Sequence, residues 1–367
     1  MWNGGKSHDQ PVSSADSTFH IPHSTFPYDA VLIVSFGGPE GPEDVLPFLE
    51  NVLRGKNVPR ERMLEVAKHY DHFGGVSPIN AQNRRLIAAL ERELAEHGPQ
   101  LPIYWGNRNW RPLLPDTLAQ MADDGVKRAI AFFTSAYSSY SSCRQYRENI
   151  AAAQEQVGPT APQVDKLRVF FNHPGFIEPM VESLRHCLDR IPAEQRSPVT
   201  VLFTAHSIPT AMAENCRYEE QLRESSRLVA EAAGVARWEL VYQSRSGPPQ
   251  QPWLEPDVGD RIKQLHAAGD LGHLIVLPIG FISDHLEVLY DLDTEVKELC
   301  GQLGVPMQRA ATVGDHPRFV TMIRELIAER VSGAVDRPAL GDQGPSHDDC
   351  PVDCCLYTPA RPPAAMR

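Results

Sequence analysis

The sequence predicts an α/β fold in which helices cover both faces of parallel β-sheets. Short, nearly continuous apolar runs alternate with segments long enough for a helix, such as Asn83 to His97 and Tyr218 to Ala233. Strands buried on both faces have this apolar character. The length of 367 residues indicates two domains or one large unit. With 42% hydrophobic residues, the chain can bury a substantial core.

Seven apolar runs are predicted to be strands. They are Ala30 to Phe36, Leu101 to Gly106, Arg128 to Phe133, Leu167 to Phe171, Val199 to Thr204, Glu239 to Gln243 and His273 to Pro278. A boundary near Ala161 and Pro162 divides the chain into two α/β halves, residues 28–160 and 161–335. Ligands of open parallel sheets bind beyond the carboxyl ends of the strands, so functional residues are expected directly after these runs.

Charge and composition exclude several classes of protein. A net charge of −12 argues against a nucleic-acid surface. No apolar run reaches the roughly 18 residues of a membrane span. Residues 1–27 are polar, unlike a signal peptide, and are interpreted as a disordered leader of a cytoplasmic protein. The odd number of cysteines, seven, is not typical of a secreted disulfide framework.

Four of the seven cysteines form an unusual pattern. Cys350, Cys354 and Cys355 lie within six residues of the tail 336–367, and Cys143 stands alone after the third predicted strand. The tail is rich in Pro, Gly and Asp and is predicted to be loose. Three thiols with a distant fourth suit a soft metal centre. A zinc site with four cysteines and a tail of unliganded thiols remain open as alternatives.

A histidine directly follows one predicted strand. His173, in the segment NHPGFI, comes after the apolar run 167–171. A histidine at this edge of a sheet can bind a metal or accept a proton near neutral pH. A loop histidine bonded to a nearby carbonyl explains the pattern as well, since the chain has 14 histidines.

Three carboxylates follow the last predicted strand. Glu287, Asp291 and Glu295 are spaced four apart, which places them in a slanting line along one helix face. Like charges at this spacing repel each other. The apolar neighbours Phe281 and Leu286 indicate a largely buried helix. A role in metal or proton transfer is therefore favoured over a solvated charged stripe.

Two further segments are candidates for ligand contact. Gly74, Gly75 and Ser77 lie in HFGGVSPI, where glycines allow a flat ligand to approach and the serine offers a hydroxyl. A tight turn before a helix explains these residues equally well. Residues 134–146 crowd tyrosines and serines after a strand. They predict either a pocket for a planar aromatic molecule or a serine-rich loop with tyrosines packed beneath it.

Taken together, these segments resemble the ferrochelatases, lyases that insert Fe²⁺ into a porphyrin during haem biosynthesis. The resemblance runs from about Ala30 to about Ile327. It rests on the segments SFGGPEGPEDV, HFGGVSPI, TSAYSSYSSCRQY, NHPGFI, TAHSIP and GFISDHLEVLYDLDTE. It implies two Rossmann-like (chelatase-type) domains, each a parallel β-sheet flanked by helices, with the active-site cleft between them.

The resemblance also implies catalytic roles. His173 is expected to be the catalytic histidine, which takes pyrrole protons or holds the incoming iron. Glu287 is expected to be its partner carboxylate across the cleft, so both are candidate ligands of the substrate Fe²⁺. Asp291 and Glu295 are expected to deliver metal or to lead protons away.

Four more residues are implied to contact the porphyrin. Ser77, Tyr146 and Arg54 match positions near the propionates. Phe36 stands where some bacterial members carry a tyrosine that coordinates the porphyrin iron, so here it is expected only to pack on the ring. Some members also hold a [2Fe–2S] cluster with three tail cysteines and one internal cysteine, which implies a cluster on Cys143, Cys350, Cys354 and Cys355.

The stretch from Leu53 to Leu64 indicates which porphyrin is used. Membrane-associated members carry a long apolar lip there, whereas this stretch is short and charged. Coproporphyrin III, which gives coproheme, is therefore expected, in keeping with a strongest resemblance to actinobacterial-type sequences. Protoporphyrin IX is the alternative. A cobalt chelatase and a non-catalytic haem or iron–sulfur sensor are less favoured, because the implied site pairs His with Glu. Transient contacts with other haem-pathway enzymes are also expected.

Overall fold

The structure is a computed structural model that describes residues 27–55, 58–192, 199–248 and 250–358. The expected leader therefore lies outside the described residues except for Pro27, as do residues 359–367 of the tail. Two four-stranded parallel sheets organise the described chain. Among the described helices, none is long and apolar enough to cross a membrane.

The first sheet has the strand order β2-β1-β3-β4, and all of its strands are parallel. Its strands are β1 (Ala30–Ser35), β2 (Ile103–Asn107), β3 (Arg128–Phe133) and β4 (Gln163–Lys166). β1 is buried along its whole length, as its near-continuous apolar sequence predicts. The associated helices are α1 (Pro42–Val52), α2 (Arg60–His72), α3 (Ile79–His97), α4 (Leu114–Asp123) and α5 (Gln145–Val157), and a π-helical turn, Tyr140–Arg144, leads into α5.

The second sheet repeats this arrangement in the order β6-β5-β7-β8. Its strands are β5 (Val199–His206), β6 (Trp238–Gln243), β7 (His273–Leu277) and β8 (Met307–Arg309). The helices are α6 (Pro174–Asp189), α7 (Thr210–Ala213), α8 (Tyr218–Ala233), α9 (Val258–Ala267), α10 (Leu286–Val288), α11 (Lys297–Leu303) and α12 (Pro317–Ser332), with a π-helical segment, Leu289–Val296, between α10 and α11. These two sheets confirm the expected fold class.

In both sheets the chain winds outward in opposite directions from a central pair of strands. The pairs are β1 with β3 and β5 with β7. A crevice opens where neighbouring strands lead to opposite sides, beyond their carboxyl ends. The segments that follow these four strands, which include Phe36 and His206, are therefore placed to form a ligand site.

The joint between the halves differs from the sequence-based boundary. β4 pairs with β3, so the first sheet extends beyond Ala161 to Lys166. The predicted strand 167–171 is wrong, because these residues form no ladder. Its apolar residues, among them Phe170 and Phe171, are instead buried in the central core. Apolar character alone does not separate a paired strand from a buried connecting segment.

One hydrophobic core joins the two halves. It contains Val31 and Phe132 of the first sheet together with Phe203 and Leu277 of the second. Helix α12 packs against both α3 and α6 in this core. Phe319 of α12 lies against Phe132, with ring centroids 6.2 Å apart. Removal of such a buried aromatic side chain typically costs about 3–5 kcal/mol, so the halves stabilise each other strongly.

The tail is attached to this core, contrary to the expectation of a loose segment. The Asn172 side chain donates to the carbonyl oxygens of Leu340 (3.0 Å) and Gly344 (2.9 Å). Buried Arg168 forms a two-bond ion pair with Glu329 and donates to the carbonyl oxygen of Pro338. Residues 336–358 are thus held by buried polar partners that composition does not reveal.

Candidate functional site

A histidine and a carboxylate face each other where the second sheet ends. His206 is the last residue of β5, and its Nε2 lies 3.9 Å from an Oε of Glu287 in α10. Nδ1 of His206 lies at hydrogen-bonding distance from the carbonyl oxygen of Ser207. Because a carbonyl only accepts, Nδ1 carries the proton in the neutral ring. Nε2 then carries the free lone pair, and it faces Glu287.

Both members of this pair remain accessible. The side chain of His206 is 34% exposed and that of Glu287 is 52% exposed. The backbone of His206 is fixed by buried Tyr218, whose hydroxyl donates to the His206 carbonyl oxygen at 3.1 Å. A fixed ring with an open face can accept a proton from a ligand in the cleft or bind a metal ion there.

An acidic line leads away from Glu287. Asp291 accepts hydrogen bonds from Gln243 Nε2 at 3.0 Å and from the Ser244 hydroxyl. Ser244 adopts a left-handed backbone conformation (φ 60°), which is uncommon for a residue with a side chain and is often found at functional sites. Burial raises the pKa of Asp291 to about 7, and the negative charge of Glu287 adds to this effect.

The line ends at exposed Glu295. Burial also raises the pKa of Glu295, and the charge of Asp257 contributes. Asp291 and Glu295 lie in the π-helical segment 289–296 rather than in the expected α-helix. π-Helical turns inside helices are frequent at functional sites. Glu287, Asp291 and Glu295 thus connect the cleft to the surface by carboxylates, one of which is half-protonated near neutral pH.

Three further residues surround the pair, and none was predicted from the sequence. The ring of His69 in α2 stacks on Tyr290, with centroids 3.8 Å apart and planes 7° from parallel. His285 precedes Glu287, and burial lowers its pKa, whereas the Glu287 charge opposes this shift. Burial likewise lowers the pKa of His69. The segments TAHSIP and SDHLE contain His206 and His285, so the signal was available in the motifs.

His173 occupies a different environment. It is fully buried as the N-cap of α6, where its Nδ1 accepts a hydrogen bond from the Gly175 N–H at 3.0 Å. Its Nε2 lies 3.7 Å from Glu325 of α12. Burial, reinforced by the charges of Arg168 and Arg318, lowers the pKa of His173 to about 3. This histidine therefore stays neutral and caps a helix. The structure does not bring it to Glu287.

Phe36 lies at the end of the first sheet with its ring 37% exposed. The guanidinium carbon of Arg108 lies 5.7 Å from this ring and 4.6 Å from that of Tyr146. Tyr146 itself is buried beneath the arginine. Arg108 also donates to Asn149 and to the carbonyl oxygen of Ser141. Arg108, which the sequence did not single out, is therefore held beside exposed Phe36 by Tyr146, Asn149 and Ser141.

The other predicted contact residues differ in exposure. Ser77 is 4% exposed, and its backbone N–H donates to the Pro39 carbonyl oxygen. Gly38 packs so closely on Ser77 that a side chain there would meet the Ser77 Oγ at 2.9 Å. Arg54 is exposed between α1 and α2. Exposed apolar side chains occur along the same rim: Leu46, Val58, Leu64 and Val76.

The two halves are clamped beside the site. The Gln82 side chain in α3 donates to the backbone oxygen of Asp284 and accepts from its N–H, each at 2.8 Å. The next apolar residue, Leu286, packs among side chains of α1 and α2, including Phe48 and Tyr70. The α1–α2 pair is thus connected directly to the segment that carries Glu287.

The four expected cysteines lie close together: Cys350 interacts with Cys143 and with Cys354, and Cys355 follows Cys354. Cys354 Sγ and Cys355 Sγ are 3.6 Å apart. A hydrogen bond links Cys143 and Cys350. It raises the pKa of the Cys143 thiol, which burial raises further, and it lowers the pKa of Cys350 to about 4 although burial opposes this shift. All seven cysteines are free thiols. Thiols so arranged are suited to a soft metal or an iron–sulfur group.

A cavity of about 400 Å³ opens beside Cys350. Its wall carries both cations and carboxylates: Arg144, Arg147, Lys166, Glu148, Asp165, Asp348 and Asp349. One Nη of Arg147 is buried without a hydrogen-bond partner. Cations and carboxylates are therefore mixed beside the thiols, and Arg330, with a smaller contribution from Lys166, lowers the pKa of Asp349 there.

Comparisons with known proteins fit this arrangement. A sequence model of the ferrochelatase family matches residues 28–331. The chain belongs to the ferrochelatase family. It is 62% identical over 339 residues to a ferrochelatase of Rhodopirellula baltica, a match that covers 92% of this chain and 96% of that protein. It is 52% identical over 361 residues to a coproporphyrin III ferrochelatase of Streptomyces griseus, with the same two coverages.

The fold of this ferrochelatase family member is also seen in a solved chelatase. The sirohydrochlorin chelatase SirB of Bacillus subtilis subspecies spizizenii, solved with cobalt, superimposes with a TM-score of 0.50 at 11% identity. The match covers 83% of this chain and 95% of SirB. At this identity the likeness concerns the fold alone, and it agrees with two chelatase-type domains.

Proposed function

We propose that this protein is a coproporphyrin III ferrochelatase, which inserts Fe²⁺ into coproporphyrin III to give coproheme and two protons. The observation that carries the proposal is the His206–Glu287 pair, 3.9 Å apart at the edge where the second sheet ends. Its relatives at about 50% identity, such as that of Streptomyces griseus, bear this name. The resemblance had assigned the base to His173. The proposal assigns it to His206.

The chemistry requires a base on one face of the porphyrin. A free porphyrin carries two pyrrole N–H protons, and both must leave before Fe²⁺ binds all four nitrogens. The free Nε2 of His206 accepts these protons in turn. Glu287 stabilises the imidazolium as it forms and offsets the charge of the entering metal.

The protons then need a route to solvent. Asp291, with its pKa raised to about 7, can both accept and release a proton at neutral pH. Glu295 is exposed at the far end of the line. We assign proton exit to Glu287, Asp291 and Glu295 in that order. The same carboxylates can attract Fe²⁺, since the deprotonated oxygens are ligands for divalent metals.

The porphyrin must also be held in place. Phe36 offers an apolar surface for the ring, and Arg108 beside it is placed to attract a propionate. Arg54 at the rim and Ser77 are proposed to contact other propionates. Tyr146 acts by supporting Arg108 from below, because its ring is buried. Binding energy from these remote carboxylates can support distortion of the ring.

The choice of coproporphyrin III over protoporphyrin IX follows from the rim. Coproporphyrin III has four propionates, whereas protoporphyrin IX has two propionates and two apolar vinyl groups. The rim carries exposed Arg54, whereas Arg60 and Arg62 near the start of α2 pair with Glu50 and Glu65. The positive charge of Arg54 favours the porphyrin with more negative charge.

The test is anaerobic Fe²⁺ insertion by the purified protein, with coproporphyrin III and protoporphyrin IX compared side by side. The expected result is faster turnover of coproporphyrin III, lost in His206→Ala. A preference for protoporphyrin IX would overturn the substrate assignment and keep the reaction. Absence of insertion into both porphyrins would overturn the proposed function.

We also propose that Cys143, Cys350, Cys354 and Cys355 hold a [2Fe–2S] cluster. The support is a set of four neighbouring thiols, in which Cys350 interacts with Cys143 and with Cys354, and Cys354 lies beside Cys355. The cluster would fix the tail to the first half of the chain. Absorbance and electron paramagnetic resonance of anaerobically prepared protein test this: the expected cluster signals should vanish in Cys354→Ser, and their absence from the wild type would contradict it.

The protein is further proposed to act in the cytoplasm and to meet other haem-pathway enzymes transiently. Seven free thiols are typical of a reducing compartment. Fractionation of cells that produce the protein tests the first statement, and cross-linking in those cells tests the second. Recovery of the protein outside the cytoplasmic fraction would contradict the location.

A further inference from the structure

Two fully buried asparagines lie against the segments that follow β1 and β2. Asn107 is the last residue of β2, Asn80 is the second residue of α3, and neither side chain is exposed to solvent. The sequence analysis singled out neither residue. A buried amide costs free energy unless all of its polar atoms are hydrogen-bonded, so the partners of these two side chains show what they hold in place.

The two amides join the segment after β1 to the segment after β2. Asn80 Nδ2 donates to the carbonyl oxygen of Gly38, which follows β1, and to that of Arg111, which follows β2, each at 3.2 Å. Asn107 Nδ2 donates to the same Arg111 oxygen at 3.0 Å and to Asn80 Oδ1 at 3.4 Å. Asn80 therefore bridges the two segments, and Asn107 closes the bridge from the other side.

Both ends of each amide are used. Asn107 Oδ1 accepts a hydrogen bond from Trp105 Nε1 at 2.9 Å, so Asn107 makes three bonds, and Asn80 also makes three. An aspartate has no donor for these carbonyl oxygens, and a leucine of similar size has no polar atom at all. A buried network whose members are all satisfied holds its partners rigidly.

The segments that this network joins carry Phe36 and Arg108. The Arg108 N–H donates to the carbonyl oxygen of Ser35 at 2.9 Å, which continues the β1–β2 pairing to the point where both side chains emerge. Gly37 has a φ of 81°, and a side chain there would meet Asn107 Cβ at 2.8 Å. Asn107 thus packs directly on the residue after Phe36, so one buried network sets the positions of both the aromatic ring and the cation.

We propose that Asn80 and Asn107 are positioning residues that set the affinity of this protein for its porphyrin by holding Phe36 and Arg108 in a fixed relative geometry. This inference rests on the proposed function for the class of ligand, a flat ring that carries carboxylates. Contacts that are already ordered lose less entropy when the ligand binds. His206 is at the end of the second sheet, so the network should affect binding of the porphyrin rather than proton transfer.

The test is a fluorescence titration of the full chain with coproporphyrin III in the absence of iron, together with insertion kinetics. Asn107→Leu removes three hydrogen bonds at nearly constant volume and should weaken porphyrin binding about tenfold. The KM for the porphyrin should rise by the same factor, whereas kcat and the KM for Fe²⁺ should change little. Asn80→Ala is the second variant and should weaken binding less, because Asn107 keeps its bonds to Trp105 and Arg111.

Asn172→Leu is the matched control. Asn172 is equally buried and also donates to two backbone carbonyl oxygens, but these belong to the tail residues Leu340 and Gly344. It should lower the unfolding temperature and leave porphyrin binding unchanged. Wild-type affinity in folded Asn107→Leu and Asn80→Ala, or an equal loss of affinity in Asn172→Leu, would overturn the positioning role.

The binding measurement also separates this inference from the proposed reaction. Tight binding by the wild type and weaker binding by both variants supports the positioning role even if no iron is inserted, a result that overturns the proposed function alone. A wild type that does not bind coproporphyrin III overturns the positioning role.

Discussion

Two histidines of this chain differ in what their second ring nitrogen faces. His206 binds a carbonyl through Nδ1 and presents Nε2 to the cleft, with a side chain that is one-third exposed. His173 uses Nδ1 to cap a helix, and its Nε2 is buried without a hydrogen-bond partner. The first ring can take a proton from a bound ligand. The second ring is separated from solvent and, with its pKa lowered to about 3, stays neutral.

Substitution of these two histidines should therefore affect the rate of iron insertion very differently. His206→Ala removes the proposed base, so the rate of iron insertion should fall by a factor of about 10²–10⁴. His173→Asn retains an acceptor at the helix N-cap, so it should keep most of the activity. Steady-state insertion rates of both variants, with circular dichroism to confirm folding, check this. A folded but inactive His173→Asn would return the catalytic role to His173.

Asp291 should couple iron insertion to protein stability. Its pKa is raised to about 7 in the fold, compared with 3.8 for an unperturbed aspartate. Between these two pH values the folded protein holds a proton that the unfolded chain has released, so this group costs stability as the pH rises through 3.8 to 7. Asp291→Asn cannot ionise, so it should unfold at a higher temperature than the wild type at pH 8.

The same variant should also insert iron more slowly, because an amide neither accepts nor releases the proton. Thermal unfolding from pH 4 to pH 8 tests the stability difference, which should shrink toward pH 4. Asp293→Asn on the same segment serves as a control of similar size, although it also removes an ion pair with Arg309. A stability gain for Asp291→Asn that is largest at pH 4 would contradict the raised pKa.

At the scale of elements, the loop before α10 is joined to α3 by two hydrogen bonds. The side-chain amide of Gln82 donates a hydrogen bond to the backbone oxygen of Asp284 and accepts one from its backbone N–H, each at 2.8 Å. Glu287 follows three residues later, so these two bonds hold the segment that carries the proposed catalytic carboxylate against α3. A buried backbone group that loses its partner costs about 1–3 kcal/mol.

Gln82→Ala should accordingly lower the unfolding temperature by a few degrees, at about 2–4 °C per kcal/mol for a chain of this size. It should also raise the KM for the porphyrin more than it lowers kcat, because it loosens the cleft and leaves His206 and Glu287 in place. Gln100→Ala, at an exposed position, is the control. Equal melting temperatures and equal KM values for the two variants would show that the clamp contributes nothing.

Elements with strong apolar patterns were predicted well, and the weakly patterned ones were not. The runs that became β1, β3, β5 and β7 are buried throughout or nearly so. β4 is short and polar, with the sequence QVDK, so it was missed at the sheet edge. The π-helical segment 289–296 was predicted to be an α-helix, because the four-residue spacing of its carboxylates does not distinguish a π-helix from an α-helix.

At the scale of the whole molecule, the family and fold followed from the sequence, whereas the histidine to which we assign the proposed base did not. Both His173 and His206 follow buried apolar runs in motifs typical of the family. Strand pairing distinguishes the two histidines. Residues 199–206 form a central strand of the second sheet, whereas residues 167–171 form no strand. Cys143, Cys350, Cys354 and Cys355 lie close together in the structure, and their binding of a cluster stays a prediction.

Two cations that act on Cys350, Lys166 and Arg147, should raise the reduction potential of the proposed cluster. Reduction adds a negative charge, and Lys166 and Arg147 stabilise that charge. Removal of one unit charge at a few ångströms through a partly solvated wall costs roughly 1 kcal/mol, or about 40 mV for one electron. Lys166→Gln and Arg147→Gln should each lower the midpoint potential by about this amount, as measured by spectroelectrochemistry. Lys127→Gln, at an exposed position, is the control, and potentials equal to that control would exclude an electrostatic role for the two cations.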